Sequence, residues 1–265
     1  MHNAAFAALG LNWRYFACEV HPDDLHAAIE GGRVMGFAGL NLTVPHKLLA
    51  LKLVDELDLS AKKWGAVNTI RFDRAAMEGG LRMRAVGFNT DADAIVTALR
   101  EDLKLEPRGA KILLMGAGGA GRTAALRLAA EKAAGLFLVN RTRSKAEAVA
   151  AEIKKRFPAA RVTLGYPKSR IDLLLNATTL GLKPDDKLPL DEKRFALKQA
   201  RAVYDMIYRP AETRLLKAAK KAGCKTANGL SMLLHQGAKA FEIWTGKAAP
   251  LDVMRHALEQ SIYGH

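Results

Sequence analysis

The sequence predicts an α/β protein in which a doubly wound parallel sheet is joined to a smaller mixed α/β domain. Three observations carry that prediction. Between residues 111 and 227 short apolar runs alternate with helical patterns, the order that a parallel sheet with crossover helices requires. The stretch KILLMGAGGAGR, residues 111–122, sets a glycine-rich turn between a buried-type strand and an Ala/Leu-rich helix. Residues 1–90 lack this alternation and mix helices with what reads as a strand pair.

In chain order, residues 4–9 read as a helix and Arg14–Val20 as a strand. His21-Pro22-Asp23-Asp24 opens a short helix that Gly31-Gly32 is expected to stop, since glycine suits a helix end better than its interior. A strand over Asn41–Val44 follows. Pro45 fixes φ and lacks a backbone donor, so the strand ends there and a helix starts, predicted to reach about Leu57. Ala66–Phe72 and Leu81–Val86 form a predicted strand pair around a polar, glycine-containing loop. After Asn89-Thr90-Asp91 a helix runs to about Leu103, and Pro107-Arg108-Gly109 makes a turn. Strands are then predicted at Lys111–Met115, Leu136–Val139, Arg161–Leu164, Ile171–Leu175, Ala202–Met206 and Lys225–Ala227, with a helical tail from Leu230. The expected domains are residues 1–90, completed by the C-terminal helices 230–265, and residues 91–229.

Composition narrows the function classes. The 265 residues are 49% hydrophobic and 26% charged, enough apolar material for one large or two modest cores. Lys and Arg number 41 against 27 Asp and Glu, a formal charge of +14 that attracts anionic partners. The basic residues are spread along the chain and aromatics are only 6%, which argues against nucleic acid, a partner that prefers a basic stripe with stacking residues. Cys18 and Cys224 make no disulfide framework, and no CxxC or Cys/His cluster points to a metal, so a reduced, cytoplasmic setting is expected. No apolar run approaches the roughly 20 residues that span a bilayer, and no membrane partner is expected. The opening MHNAAFAALGL lacks the basic start of a signal peptide.

Gly116, Gly118 and Gly121 stand in G-x-G-x-x-G spacing, which is weak evidence alone. Between a buried strand and a helix it predicts a Rossmann-type dinucleotide site formed by Gly116, Ala117, Gly118, Gly119, Ala120 and Gly121. Glycine lets backbone N–H groups approach a pyrophosphate, and the helix start offers unpaired donors and partial positive charge. A plain tight turn is the competing explanation, and the strand–turn–helix context argues against it. At the end of the second strand, where an NAD site usually carries an acid, the chain has Asn140-Arg141-Thr142-Arg143-Ser144-Lys145. Guanidinium and ammonium groups there suit the 2′-phosphate of NADP, and Asn140, Arg141, Thr142 and Lys145 are the expected contacts. Ser144 with Glu147 reads as a capping box opening the next helix.

A nicotinamide enzyme that reduces a ketone must neutralise the alkoxide formed at its oxygen, commonly through Lys or His. Lys47, just past the strand broken by Pro45, is a candidate, although most single lysines are simply solvated. Asp91 is the second candidate, and on the residues alone it serves equally as a helix cap or as a catalytic partner for Lys47. His46 is expected to face solvent and His235 to be packing or surface. Trp13, Trp64 and Trp244 read as core or domain-face residues, and Lys62-Lys63 and Lys220-Lys221 as solvated helix faces.

NLTVPHK (41–47), GAVNT (65–69), GFNTD (87–91), GAGGAGR (116–122), NRT (140–142), NAT (176–178), YDMIYRP (204–210) and NGLSMLLHQGAKAFEIWTG (228–246) occur in this order along nearly the whole chain. Together they resemble the shikimate dehydrogenase family. The resemblance implies a smaller substrate domain beside a Rossmann-type NADP domain, and reversible NADPH-dependent reduction of 3-dehydroshikimate to shikimate. It further implies that Lys47 and Asp91 are the catalytic pair and that Thr43, Asn68 and Gln236 hold substrate hydroxyls. Tyr208 would lie near the substrate, with Met206 and Gly229 at the nicotinamide. A monomer or homodimer acting on a small carboxylate is expected. Family members also carry a strand and an S-x-S segment before a Met/Leu-His-Asn-Ala sequence, and those serines hold the substrate carboxylate. This chain opens at Met1-His2-Asn3-Ala4, so the expectation is that Met1 is an internal methionine of a longer product. The rival readings are an NAD-dependent quinate/shikimate dehydrogenase and a non-catalytic Rossmann protein that senses nucleotides or binds nucleic acid.

Overall fold

Alternating residues over TIRFDRAAM and the matching run up to GF at 87–88 favour a two-faced hairpin, and a hairpin forms. In the computed structural model, which describes residues 1–77 and 80–264, the chain falls into two units: Met1–Asp91 with Leu234–His265, and Ala92–Leu233.

The first unit holds α1 (His2–Ala8), α2 (Leu25–Val34), β1 (Gly39–Asn41), the single turn α3 (His46–Leu49), β2 (Glu56–Leu57), α4 (Leu59–Trp64), β3 (Thr69–Met77) and β4 (Gly80–Phe88). Its sheet has the order β1-β3-β4-β2, antiparallel at β1–β3 and β3–β4 and parallel at β2–β4. The predicted turn residues Glu78-Gly79 lie outside the described residues. Leu25, Ile29, Ala50, Ala61, Val67, Ile70, Phe72 and Ala85 form the core of this unit.

The second unit begins with the body of α5 (Asp91–Leu103), then alternates β5 (Lys111–Met115), α6 (Gly119–Ala130), β6 (Gly135–Val139), α7 (Arg143–Arg156), β7 (Val162–Leu164), β8 (Ile171–Asn176), β9 (Ala200–Asp205), α8 (Arg214–Lys221) and β10 (Lys225–Asn228). Six parallel strands take the order β10-β9-β8-β5-β6-β7, with β5 and β8 central and the strand order reversing between them. That is the doubly wound arrangement expected, and the reversal is where such sheets bind ligands. The middle strands are apolar on both faces because helices cover both; Leu113, Met115, Leu174 and Val203 are buried there. The helix α9 (Leu230–Thr245) crosses from the second unit into the first, which α10 (Leu251–Tyr263) completes by packing on α1.

The first unit departs from expectation in several places. Arg14–Val20 is not a strand: the mostly exposed segment is tied to α1 by Asn3, whose side chain exchanges two hydrogen bonds with the backbone of Tyr15. α2 runs through Gly31-Gly32, because a Cβ on Gly32 would come within 3.3 Å of the Phe72 ring, so glycine there serves close packing. The chain turns away instead at Gly36, whose φ of +72° suits glycine. β1 stops at Asn41 rather than Val44, and the helix after Pro45 ends at Leu49, passing through a 3-10 turn (Ala50–Lys52) to β2. His46 is buried, not solvent-facing, because residues 46 and 50 share the inward side of that turn while Leu48 and Leu49 are exposed. In the second unit Ser144 lies inside α7, which Thr142 precedes, and Glu147 accepts from Arg143 at 2.8 Å, so the capping box is absent.

α9 meets the small sheet through Trp244, whose Nε1 donates to the carbonyl of Ile70 at 2.9 Å. A Cβ on Gly39 would lie 2.2 Å from both that carbonyl oxygen and the Trp244 nitrogen. Gly39→Ala is therefore expected to cost about 1–3 kcal/mol, read as a lower urea midpoint.

His2 is buried against Tyr15, with ring centroids 4.4 Å apart, and burial lowers its pKa to about 4. The unfolded chain takes up this proton near pH 6.5, whereas the folded chain resists until about pH 4. More protons on the unfolded side mean that stability falls as pH drops from about 6.5 to about 4 and levels below. The loss should be about 3 kcal/mol, and pH-dependent unfolding of His2→Phe should lack that component.

Candidate active site

The chain enters the first site at the turn after β1. The carbonyl of Thr43 accepts from the N–H of His46 at 2.8 Å, starting α3 and fixing the position of Lys47. The carbonyl of Lys47 in turn accepts from Val67 at 2.9 Å, and Asn68 N–H donates to Phe88, tying α3 and the approach to β3 to the same sheet. Asp91, the first residue of α5, follows β4 by three positions.

These restraints bring Lys47, Asn68 and Asp91 together. Lys47 Nζ lies 2.6 Å from Asp91 Oδ2, with side chains 17% and 6% exposed. Asn68 Nδ2 donates to Asp91 Oδ1 at 2.9 Å and to Thr90 Oγ1 at 2.8 Å. Asn68 Oδ1 accepts from the Thr90 N–H at 2.8 Å. Both carboxylate oxygens of Asp91 are thus engaged by side-chain donors, one of them a cation. Such a group can hold an ammonium at a defined point, where it can give up a proton or face a developing negative oxygen. Thr43 stands exposed four residues before Lys47, and Gln236 is half-buried on α9 in the same unit.

The second site is the glycine turn of the other unit, where the four glycines divide by what a side chain would meet. Gly116 has φ +104°, and a Cβ there would sit 2.7 Å from the Ala177 carbonyl; a Cβ on Gly121 would sit 2.1 Å from the Gly116 carbonyl. These two let turn, helix and β8 pack closely. Gly118 and Gly119, at the start of α6, would meet nothing within 4 Å. Open space over bare backbone at a 12-residue helix start leaves N–H donors free to meet an anion such as a pyrophosphate, and Ala117 and Ala120 flank it. Asn140 Oδ1 accepts from the Ala117 N–H at 3.0 Å and its Nδ2 donates to the Thr142 carbonyl at 2.8 Å, so this side chain joins the turn after β6 to the glycine loop. Arg141 and Thr142 are exposed on that turn and Lys145 on the first turn of α7, and no acid occurs from residue 140 to 145. The residues present fit NADP.

Met206 and Gly229 are brought into contact: a Cβ on Gly229 would lie 2.1 Å from the Met206 carbonyl, and the Gly229 N–H donates to Ile207 at 3.2 Å. Tyr208 follows, 37% exposed. Under this segment lies Asp205, fully buried, which accepts from Asn176 at 2.9 Å, from the Ile207 N–H at 3.1 Å and from Thr213 at 2.7 Å. Burial pushes its carboxyl up, and these three donors oppose that shift. Sequence reasoning singled out neither Asp205 and Asn176 nor Thr90, Thr69 and Asn41, although all five lie within or beside the quoted motifs. Among the described residues, no cluster of three His, Cys, Asp or Glu is placed to hold a metal, and no helix is long and apolar enough to cross a membrane.

Comparison with known proteins gives the family. The family described as shikimate dehydrogenase substrate binding domain matches residues 1–70, shikimate/quinate 5-dehydrogenase matches residues 99–177, and the shikimate 5′-dehydrogenase C-terminal domain matches residues 229–259. The NADP(+) shikimate dehydrogenase of Methanopyrus kandleri is 42% identical over 97% of this chain and 89% of its own length. A crystal structure of a shikimate dehydrogenase in complex with NADP+ superposes with a TM-score of 0.84 at 38% identity, covering 98% of this chain and 89% of that one. The enzyme of Thermus thermophilus, in complex with NADP(H) and shikimate, gives a TM-score of 0.81 at 36% identity, over 98% of this chain and 92% of its own. Identity at this level, sustained from end to end and across both units, places the chain in the shikimate dehydrogenase family.

Proposed function

We propose that this chain catalyses the NADP-dependent, reversible reduction of 3-dehydroshikimate to shikimate, with Met1–Asp91 and Leu234–His265 as the substrate unit and Ala92–Leu233 as the cofactor unit. The observation that carries the reading is the Lys47–Asp91 pair, an ammonium held 2.6 Å from a carboxylate that is itself 6% exposed. Bound NADPH supplies the hydride and receives it in the reverse direction. Lys47 acts at the C3 oxygen, giving a proton or stabilising the developing alkoxide, and recovers its proton in the next cycle. Asp91 orients the ammonium, and Asn68, whose amide donates to Asp91, holds the carboxylate in register. Thr43 and Gln236 serve the other hydroxyls and Tyr208 lies near the substrate. Gly118 and Gly119 receive the pyrophosphate, Arg141, with Asn140, Thr142 and Lys145, receives the 2′-phosphate, and Met206 and Gly229 flank the nicotinamide.

Lys47→Ala should lower kcat for NADP reduction with shikimate by about 100-fold or more while leaving NADPH affinity unchanged. Equal rates in the two proteins would overturn the assignment. Arg141→Ala should raise KM for NADP by roughly tenfold and leave that for NAD unaltered, since the guanidinium grips a group that NAD lacks. A parallel rise for both cofactors would remove Arg141 from that role.

A further inference from the structure

Thr69 closes the GAVNT motif and is fully buried at the start of β3, a position from which it touches neither Lys47 nor Asp91 directly. Its hydroxyl nevertheless stands between two amides. Asn41 Nδ2 lies 3.0 Å from Thr69 Oγ1, and Thr69 Oγ1 lies 3.3 Å from Asn68 Oδ1. At the far end, the Tyr15 hydroxyl lies 3.1 Å from Asn41 Oδ1.

The direction of every bond in this chain follows from backbone groups whose chemistry is unambiguous. Asn68 must turn its oxygen toward the Thr90 N–H, because a backbone N–H only donates. Asn41 must turn its nitrogen toward the Asn68 carbonyl, 3.3 Å away, because a carbonyl only accepts. With both amides fixed, Thr69 Oγ1 accepts from Asn41 and its single proton goes to Asn68 Oδ1. Tyr15 has an oxygen opposite and so donates to Asn41. Read from the surface inward, Tyr15 donates to Asn41, Asn41 to Thr69, Thr69 to Asn68, and Asn68 to Asp91 Oδ1, while Lys47 holds Oδ2. Every donor points toward the carboxylate.

We infer that Thr69, and Tyr15 behind it, are positioning residues for the reacting pair. A one-directional chain polarises each successive member, so the Asn68 amide becomes a better donor to Asp91 than an isolated amide would be. The same chain bars the flipped Asn68 rotamer, which would present its oxygen to the carboxylate and release Asp91 from its position beside Lys47. Tyr15 gives the chain a polarising donor at its outer end; without it the Asn41 oxygen has water as its partner, while the Asn68 carbonyl still holds the amide nitrogen.

This inference rests on the reading of Lys47 and Asp91 given above, and the test separates the two. Shikimate oxidation is measured for wild type, Lys47→Ala, Thr69→Val, Thr69→Ser and Tyr15→Phe. Thr69→Val keeps the shape and removes the hydroxyl, and should lower kcat roughly five- to tenfold while KM for shikimate moves less than about twofold. Thr69→Ser returns the hydroxyl and should bring kcat back toward wild type, a rescue that a purely packing role would not give. Tyr15→Phe should lower kcat about twofold to threefold. Wild-type kcat in Thr69→Val, or a loss in Thr69→Ser as large as in Thr69→Val, overturns the inference. Should Thr69→Val fail to fold, wild-type kcat in Tyr15→Phe overturns it. Undiminished activity in Lys47→Ala instead defeats the underlying functional reading.

Discussion

A carboxylate that is 6% exposed has exchanged most of its water for fixed partners, and the first unit is arranged around supplying them to Asp91. One comes from a turn after an edge strand, Lys47; the other comes from the residue that enters the central hairpin, Asn68. Neither is near Asp91 in sequence. What brings them together is sheet register: Thr69 pairs with Asn41 on one side and with Phe88 on the other, and Val67 binds the Lys47 carbonyl. A one-residue slip of β3 would turn each side chain to the opposite face and leave Asp91 with no amide. The hydrophobic residues of the hairpin, Ile70, Phe72 and Ala85, are what forbid that slip, because it would expose them. Core packing and the polar pair are therefore one constraint seen from two faces of the same strands.

The glycine-rich turn separates architecture from recognition within six residues. Gly116 and Gly121 are required by the protein itself, since any Cβ there would collide with backbone. Gly118 and Gly119 have no such need, and their bare backbone opens onto free space at the first turn of α6. A loop built only to turn the chain would have no reason to leave that second pair unsubstituted. Bare backbone there leaves the N–H groups at the start of α6 open to an anion.

The large sheet was readable because strands buried on both faces show themselves as unbroken apolar runs, and a parallel sheet admits few connections between them. All six runs became strands, β5 with the expected bounds and the other five shifted by one or two residues at one end or both. The first unit was less readable because its elements depend on partners distant in sequence. Arg14–Val20 has strand composition but no sheet neighbour, so Asn3 holds it as an extended loop. Gly31-Gly32 carried the signal of a helix end, yet the helix continues because Phe72, about 40 residues on, needs Gly32 to be small. Lys47 and Asp91 were candidates on their chemistry and Asn68 by motif resemblance, and the three lie together. Thr69, Thr90 and Asn41 did not emerge, because which way an amide faces is decided by backbone N–H and C=O groups that only the folded sheet brings near.

The formal charge of +14 was a weak guide as a total and becomes informative only when its neutralised part is set aside. Around α6 and α7 most of the cations are already matched: Arg122 and Arg156 to Glu152, and Arg143 to Glu147. At physiological ionic strength a charge is felt over about 8 Å, so pairs of this kind contribute little field beyond their own surroundings. Arg141, before α7, and Lys145, in its first turn, are exposed, and among the described residues neither is ion-paired with a carboxylate. Arg141 and Lys145 thus add positive charge beside Asn140, the residue that links the turn after β6 to the glycine loop. A turn of this kind suits a cofactor with an additional phosphate: it carries no acid to repel that group, and the nearby Glu147 and Glu152 are committed to other cations.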